Sequence, residues 1–376
     1  MGNEALYHQR AERIEKAVRC EPVDLIPTLF MGQAFAPRWM GMTTAQYCTD
    51  PEGACAATLG TLERLGDVDG VNLWSVGYHT INLSTLWLSK VLMPGKDLPD
   101  DALWQVVERE TMTLDDYDAI AADGWQPFLE SFLPKVLDME MFQAHMGWLV
   151  NEYPHQLGKF QAAGYVPVVG GITTIPFEVL CGGRSMNSFF MDLYRDPARV
   201  KAALDAMVPA MIENAVAACA LSGIPRAWLG GWRSASAMLA PKLWDEFVWP
   251  YYYDISMALI DKGITPVLHW DQDWTRDLAR LKELPPRTCI LNPDGMTDIR
   301  KAKELLDGHM AIMGDLPAAI LSAGTPDDVH AYIEALVRDV GPTGLILCPG
   351  CDGPIDSKPE NFEAFVAASR EFGRVS

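Results

Sequence analysis

Short apolar runs alternate with longer amphipathic stretches along the whole chain. The runs at 25–30, 70–75, 166–171, 226–231, 265–270, 288–292, 310–314 and 344–348 are rich in Val, Ile, Leu and Trp and do not alternate strictly with polar residues. That pattern is expected of strands covered on both faces. Between them, residues 197–222 carry apolar positions at helical spacing and stop before Gly223, and 241–262 opens on Pro241 and ends at Gly263. Residues 298–307 and 326–340 behave alike, and 50–65 begins Asp50-Pro51-Glu52, a cap followed by proline in the first turn. Eight strands with intervening helices predict an α/β fold, a (β/α)₈ TIM barrel, with 1–376 as a single domain. Residues 76–164 are too long for one crossover and read as a helical insertion after the second strand, capping the barrel mouth. A doubly wound open sheet is the alternative, but no Gly-rich phosphate fingerprint follows the first strand.

Composition narrows the function. With 49 % hydrophobic residues among 376, the chain can bury enough surface to offset its ordering entropy. Its 30 Lys+Arg against 50 Asp+Glu give a net charge of −20, which disfavours nucleic acid and anionic membranes as partners. No uninterrupted apolar run approaches the roughly 18 residues of a membrane span, and no apolar signal segment follows Met1, so a cytoplasmic location is expected. The eight cysteines lack a secreted-type framework. Cys348-Pro-Gly-Cys351 has redox spacing, but no thioredoxin-like unit surrounds it.

In a barrel the reactive groups lie just beyond the strand ends. The fifth strand ends His269-Trp270-Asp271-Gln272-Asp273, the seventh Gly314-Asp315, and the eighth Cys348-Pro349-Gly350-Cys351-Asp352. His269 and Asp271, two apart, can share one side of the mouth, and Cys351 can reach the same centre. Imidazole, carboxylate and thiolate are all zinc ligands, and three of them with an open position describe a catalytic site. The plainer alternative is a hydrogen-bonded His269, capping aspartates at 271 and 273, and a buried Cys351.

The chain resembles the uroporphyrinogen decarboxylase superfamily, and more closely its cobalamin-dependent methyltransferase branch. The resemblance runs through residues 13–27, Asp50-Pro51-Glu52, 239–251, Gly314-Asp315, Gly324-Thr325-Pro326, the Cys348–Cys351 segment and Pro359-Glu360-Asn361. It implies a (β/α)₈ barrel and, in the methyltransferase branch, zinc held by a His-x-Cys pair and a late cysteine. His269 and Cys351 match; Asp271 stands where that branch usually has cysteine. The exchange preserves charge but replaces a soft donor with a hard oxygen, leaving zinc the stronger Lewis acid. Such a metal suits polarising an ether oxygen, so the expected reaction is methyl transfer from an O-methylated compound to the cobalt of a separate corrinoid protein. Asp273 or Asp315 would bind or relay a proton. The reverse direction, from methylcobalamin to a thiol or tetrahydrofolate, is the alternative; a non-enzymatic binding barrel is another.

Decarboxylases of the superfamily carry two arginines after the first strand that grip substrate carboxylates, and Gly32 and Ala36 occupy the matching positions here. Their second-strand aspartate corresponds to Asn72. The 12 tryptophans favour a flat, aromatic methyl donor. Asn72, Trp74, Tyr78, His79, Trp232, Arg233 and Trp270 are the expected substrate-binding residues, with Arg233 available to an acidic substituent. The Asp-x-His-x-x-Gly signature of a cobalamin module is absent, so the corrinoid must arrive on a partner.

Overall fold

The structure is a computed structural model that describes residues 2–72 and 78–375. Eight parallel strands carry the fold: β1 (Leu29–Phe30), β2 (Gly70–Val71), β3 in two segments (Val166–Pro167 and Gly171–Thr174), β4 (Arg226–Gly231), β5 (Thr265–Trp270), β6 (Ile290–Pro293), β7 (Ala311–Leu316) and β8 (Leu345–Pro349). They pair in sequence order. The first segment of β3 pairs with β2 and the second with β4, so one interrupted strand joins the two sheets. At the other edge Thr28 bridges Leu347, and the Leu347 N–H donates to the Pro27 carbonyl at 2.8 Å. The molecule is a (β/α)₈ barrel with an insertion between β2 and β3.

Side-chain parity sorts the strands into two layers. Leu29, Val166, Trp228, Val267, Ile290, Met313 and Ile346 fill the barrel interior. Their neighbours Leu229, Leu268, Leu291, Ile312 and Leu347 pack outward against the helices. At the N-terminal end, the buried Asp69 carboxylate accepts Arg13 at 2.5 Å, the Thr28 N–H at 2.8 Å and Arg370 at 3.0 Å. That cluster ties the first helix and the last to the start of β2, where the fold needs stability rather than chemistry.

Two expectations need correction. The helix expected over 241–262 is two, Pro241–Phe247 and Trp249–Asp261, broken at Val248 where Pro250 supplies no N–H to an incoming turn. The insertion is not purely helical: Val91–Leu92 and Gln105–Val106 form an antiparallel ribbon, too short to leave a periodic signal. Helix Pro197–Ser222 passes a length-and-composition test for a membrane span, but its apolar runs are broken by Arg199, Lys201, Asp205 and Glu213, and here it packs on β3 and on helix Leu114–Asp123.

Candidate metal centre

His269 sits on β5 with the same parity as the interior residue Val267 and so points inward. Register sets Asn292 of β6 directly beside it. The Asn292 amide nitrogen donates to the Met313 carbonyl at 2.8 Å, which leaves its oxygen facing the imidazole. His269 Nδ1 therefore donates to Asn292 Oδ1 at 2.9 Å, which leaves Nε2 as the nitrogen that faces Asp271 and would bind a metal. Nε2 lies 3.3 Å from Asp271 Oδ1. The Trp228 ring stacks on the imidazole at 5.1 Å between centroids. A Cβ at Gly230 would collide with that indole, so glycine makes the stack possible.

The two other donors arrive on anchored loops. The Asp271 N–H donates to the Gly231 carbonyl at 2.9 Å, while Asp294 accepts the Gln272 N–H at 2.8 Å and Thr297 Oγ1 accepts the Trp274 N–H at 3.0 Å. After β8, Asp352 Oδ1 accepts the Gln33 N–H at 2.5 Å and the Gly353 N–H donates to Met31, fastening this loop to the one after β1. Cys351 lies between these fastenings and the Gly350 N–H, which donates to the Leu316 carbonyl at 2.9 Å. One donor atom each from His269, Asp271 and Cys351 lies within 4.8 Å of the others.

The electrostatics suit a divalent cation. Burial works against a charged imidazole, but the Asp271 carboxylate outweighs it and holds His269 well above its ordinary value. Burial raises Asp271, yet His269 pulls it below the usual carboxylate range. Burial and the Asp271 charge push the Cys351 thiol up. A proton thus occupies the place a cation would take. Nitrogen, oxygen and sulfur in one buried cluster, with the imidazole tautomer fixed from behind, are a donor set that fits zinc. Asn292→Leu is expected to weaken zinc affinity about 10- to 100-fold by freeing the ring and stranding its Nδ1–H; competition with a chromophoric chelator measures it.

The three donors lie at one side of a cavity of about 320 Å³. Trp87, Trp104, Trp228 and Trp232 line it, with His79, Leu83, Leu86 and Val106 from the insertion and Met31, Gln33, Ile172 and Asp352 from the barrel. Burial lowers His79 to about 3, so its ring is neutral, and raises Asp352 to about 6. Two smaller cavities, of about 190 and 210 Å³, flank helix His79–Trp87 and share Asn82 and Ile172 with the large one.

Of the expected substrate residues, His79 and Trp232 reach this cavity. Trp232 is placed by Glu178, whose buried carboxylate accepts the N–H groups of Trp232, Arg233 and Ser234 at 2.8, 3.0 and 2.8 Å. Arg233 lies outside it, bonded to Glu108 of the insertion at 2.6 Å and stacked on the Trp232 ring. Trp270 has the opposite parity to His269 and stacks on Trp274 among the helices, at 4.3 Å. Asn72 is one layer down, donating to Asn292 Oδ1 at 3.1 Å. Tyr78 packs against His145 rather than lining the cavity. Trp74 lies outside the described residues.

The two expected proton carriers are elsewhere. Asp273 accepts the Thr275 N–H at 2.8 Å and caps the following turn. Asp315 accepts from Tyr332 Oη at 2.7 Å, on helix Pro326–Val340. Burial raises Asp315 to about 7. A carboxyl whose folded value lies above its unfolded one stabilises the fold at low pH and loses that contribution as pH rises toward 7. Asp315→Asn, which keeps an acceptor for Tyr332, is therefore expected to flatten the decline in stability between about pH 4 and 8, at most about 4 kcal/mol. Urea melts across that range check it. Asn292 and Trp228 escaped the sequence reading because only strand register brings them to His269.

A family pattern described as uroporphyrinogen decarboxylase (URO-D) matches residues 159–372. The chain is 23 % identical to the methylcobamide:CoM methyltransferase MtbA of Methanosarcina acetivorans, over 96 % of this chain and 97 % of that protein. Among solved structures it is similar to a methyltransferase from Methanosarcina mazei, with a TM-score of 0.71 and 17 % identity over 96 % of this chain and 98 % of the other. A pattern that covers more than half of the sequence shows that the chain belongs to the uroporphyrinogen decarboxylase family, and its barrel is shared end to end with the methyltransferases it resembles.

Proposed function

We propose that this protein is a zinc-dependent methyltransferase that passes the methyl group of an O-methylated, ring-bearing compound to the cobalt of a separate corrinoid protein. The observation that carries the proposal is the convergence of His269, Asp271 and Cys351 beside a tryptophan-walled cavity. Zinc held by these three residues would supply Lewis acidity toward an ether oxygen. The remaining work belongs to the chain. Asn292 fixes the imidazole tautomer, and Trp228 packs against the face of the ring. Trp87, Trp104 and Trp232 stack on a flat substrate and exclude water, so charge developing on the leaving oxygen meets a low-dielectric surround. Asp352 keeps the β1 and β8 loops together, so Cys351 and the cavity wall at Gln33 stay in register.

Transfer in the other sense, from a methylated corrinoid to a thiol, is the second reading, favoured by the similarity to a methylcobamide:CoM methyltransferase. The hard oxygen at 271 argues for the first: a thiol acceptor is best activated on an electron-rich metal, and a carboxylate donates less than a thiolate. Incubation with a reduced corrinoid protein and a methoxyarene separates them. Conversion of the cobalt spectrum to the methylated form is the expected result. Methylation of an added thiol by the methylated corrinoid, with no ether cleavage, would select the second reading.

A further inference from the structure

We infer that the methyl donor is an uncharged methoxyarene, and that rings bearing a carboxylate are rejected. The inference rests on the proposed function and names the substrate class of the same site. Among the described residues lining the cavity, none is Lys or Arg. Residues 73–77, which are not described, contain neither type in the sequence. The arginine that the sequence offers to an acidic substituent, Arg233, is bonded to Glu108 and to the Trp232 face and does not line the cavity. His79 is neutral at physiological pH because burial lowers it to about 3. The ionisable side chains that remain on the wall are His269, Asp271, Cys351 and Asp352. His269, Asp271 and Cys351 would be taken up in holding the metal, and Asp352 is not a residue type that pairs with a carboxylate.

With the ether oxygen at the metal, a carboxylate elsewhere on the ring would lose its water shell against a wall that has no Lys or Arg to meet it. A hydroxyl or second methoxy group carries no charge to desolvate and so incurs no such cost. A volume of about 320 Å³ takes one substituted ring.

The experiment is equilibrium binding to the zinc-loaded protein, read by quenching of the cavity tryptophans and requiring no turnover. The probes are 2-methoxyphenol, 4-hydroxy-3-methoxybenzoate and tetramethylammonium. The neutral ring is expected to bind about 10- to 100-fold tighter than the carboxylated one at pH 7. Leu83→Lys, which puts an ammonium on the half-buried wall, is expected to shrink or reverse that ratio. Equal or tighter binding of the benzoate to the unmodified protein overturns the inference and leaves the aromatic donor standing. Binding of neither ring overturns the aromatic-donor reading itself, and binding of tetramethylammonium alone would reassign the tryptophan wall to an onium donor.

Discussion

Replacement of His269 or Cys351 by alanine is expected to abolish stoichiometric zinc loading and to lower methyl transfer by about 100- to 1,000-fold or more. His269 is the neutral donor of the set and is buried, with its orientation fixed by Asn292 and Trp228. Its removal leaves Asp271 and Cys351 facing one another around a void, and two acidic groups without an imidazole hold a cation at lower affinity and without defined geometry. Removal of Cys351 leaves one negative charge to balance two. The protons sharpen the prediction. In the metal-free protein the imidazole is held protonated by Asp271 despite burial, and the thiol is raised by burial and by the same carboxylate. Both protons must leave as a cation enters, so zinc affinity falls as pH falls, and more steeply than one proton per ion. Competition titrations between roughly pH 6 and 8, with elemental analysis of both variants, measure these effects. One zinc per chain retained in both variants would place the ion elsewhere.

Asp271→Cys is expected to keep the metal and lose ether cleavage, with turnover down about 100-fold. The variant adds a second thiolate to a site that already carries Cys351. Charge is unchanged, so affinity should hold or rise, but thiolate donation weakens the metal's pull on an ether oxygen. Cobalt(II) substitution gives a readout independent of activity: sulfur-to-cobalt charge-transfer intensity should about double between the two proteins as one thiolate becomes two. Undiminished turnover by the variant would remove the aspartate from the explanation of substrate choice.

The cluster that both predictions address was legible because its members sit at strand ends, where a two-residue spacing survives in the sequence as His269-x-Asp271. What surrounds it was less so. Trp270 and His269 are adjacent in sequence but on opposite faces of β5, so a strand end rich in aromatic residues over-predicts the cavity wall by one parity. Arg233 reads as a substrate cation until Glu178 is seen to capture three successive backbone N–H groups, turning its side chain toward Glu108. Asn292 and Trp228 become visible only through register, which one sequence does not encode locally. Asp315 closes a strand as the other candidates do, but a tyrosine from the outer helix layer claims its carboxyl. Within the insertion, ribbon strands of two residues are below the length at which alternation can be counted.

Helix His79–Trp87 is a thin partition, with space on both of its sides meeting at Asn82 and Ile172. Any shift of this helix would change all three spaces at once, so a substitution at Asn82 would be felt in the cavity beside the donors as well.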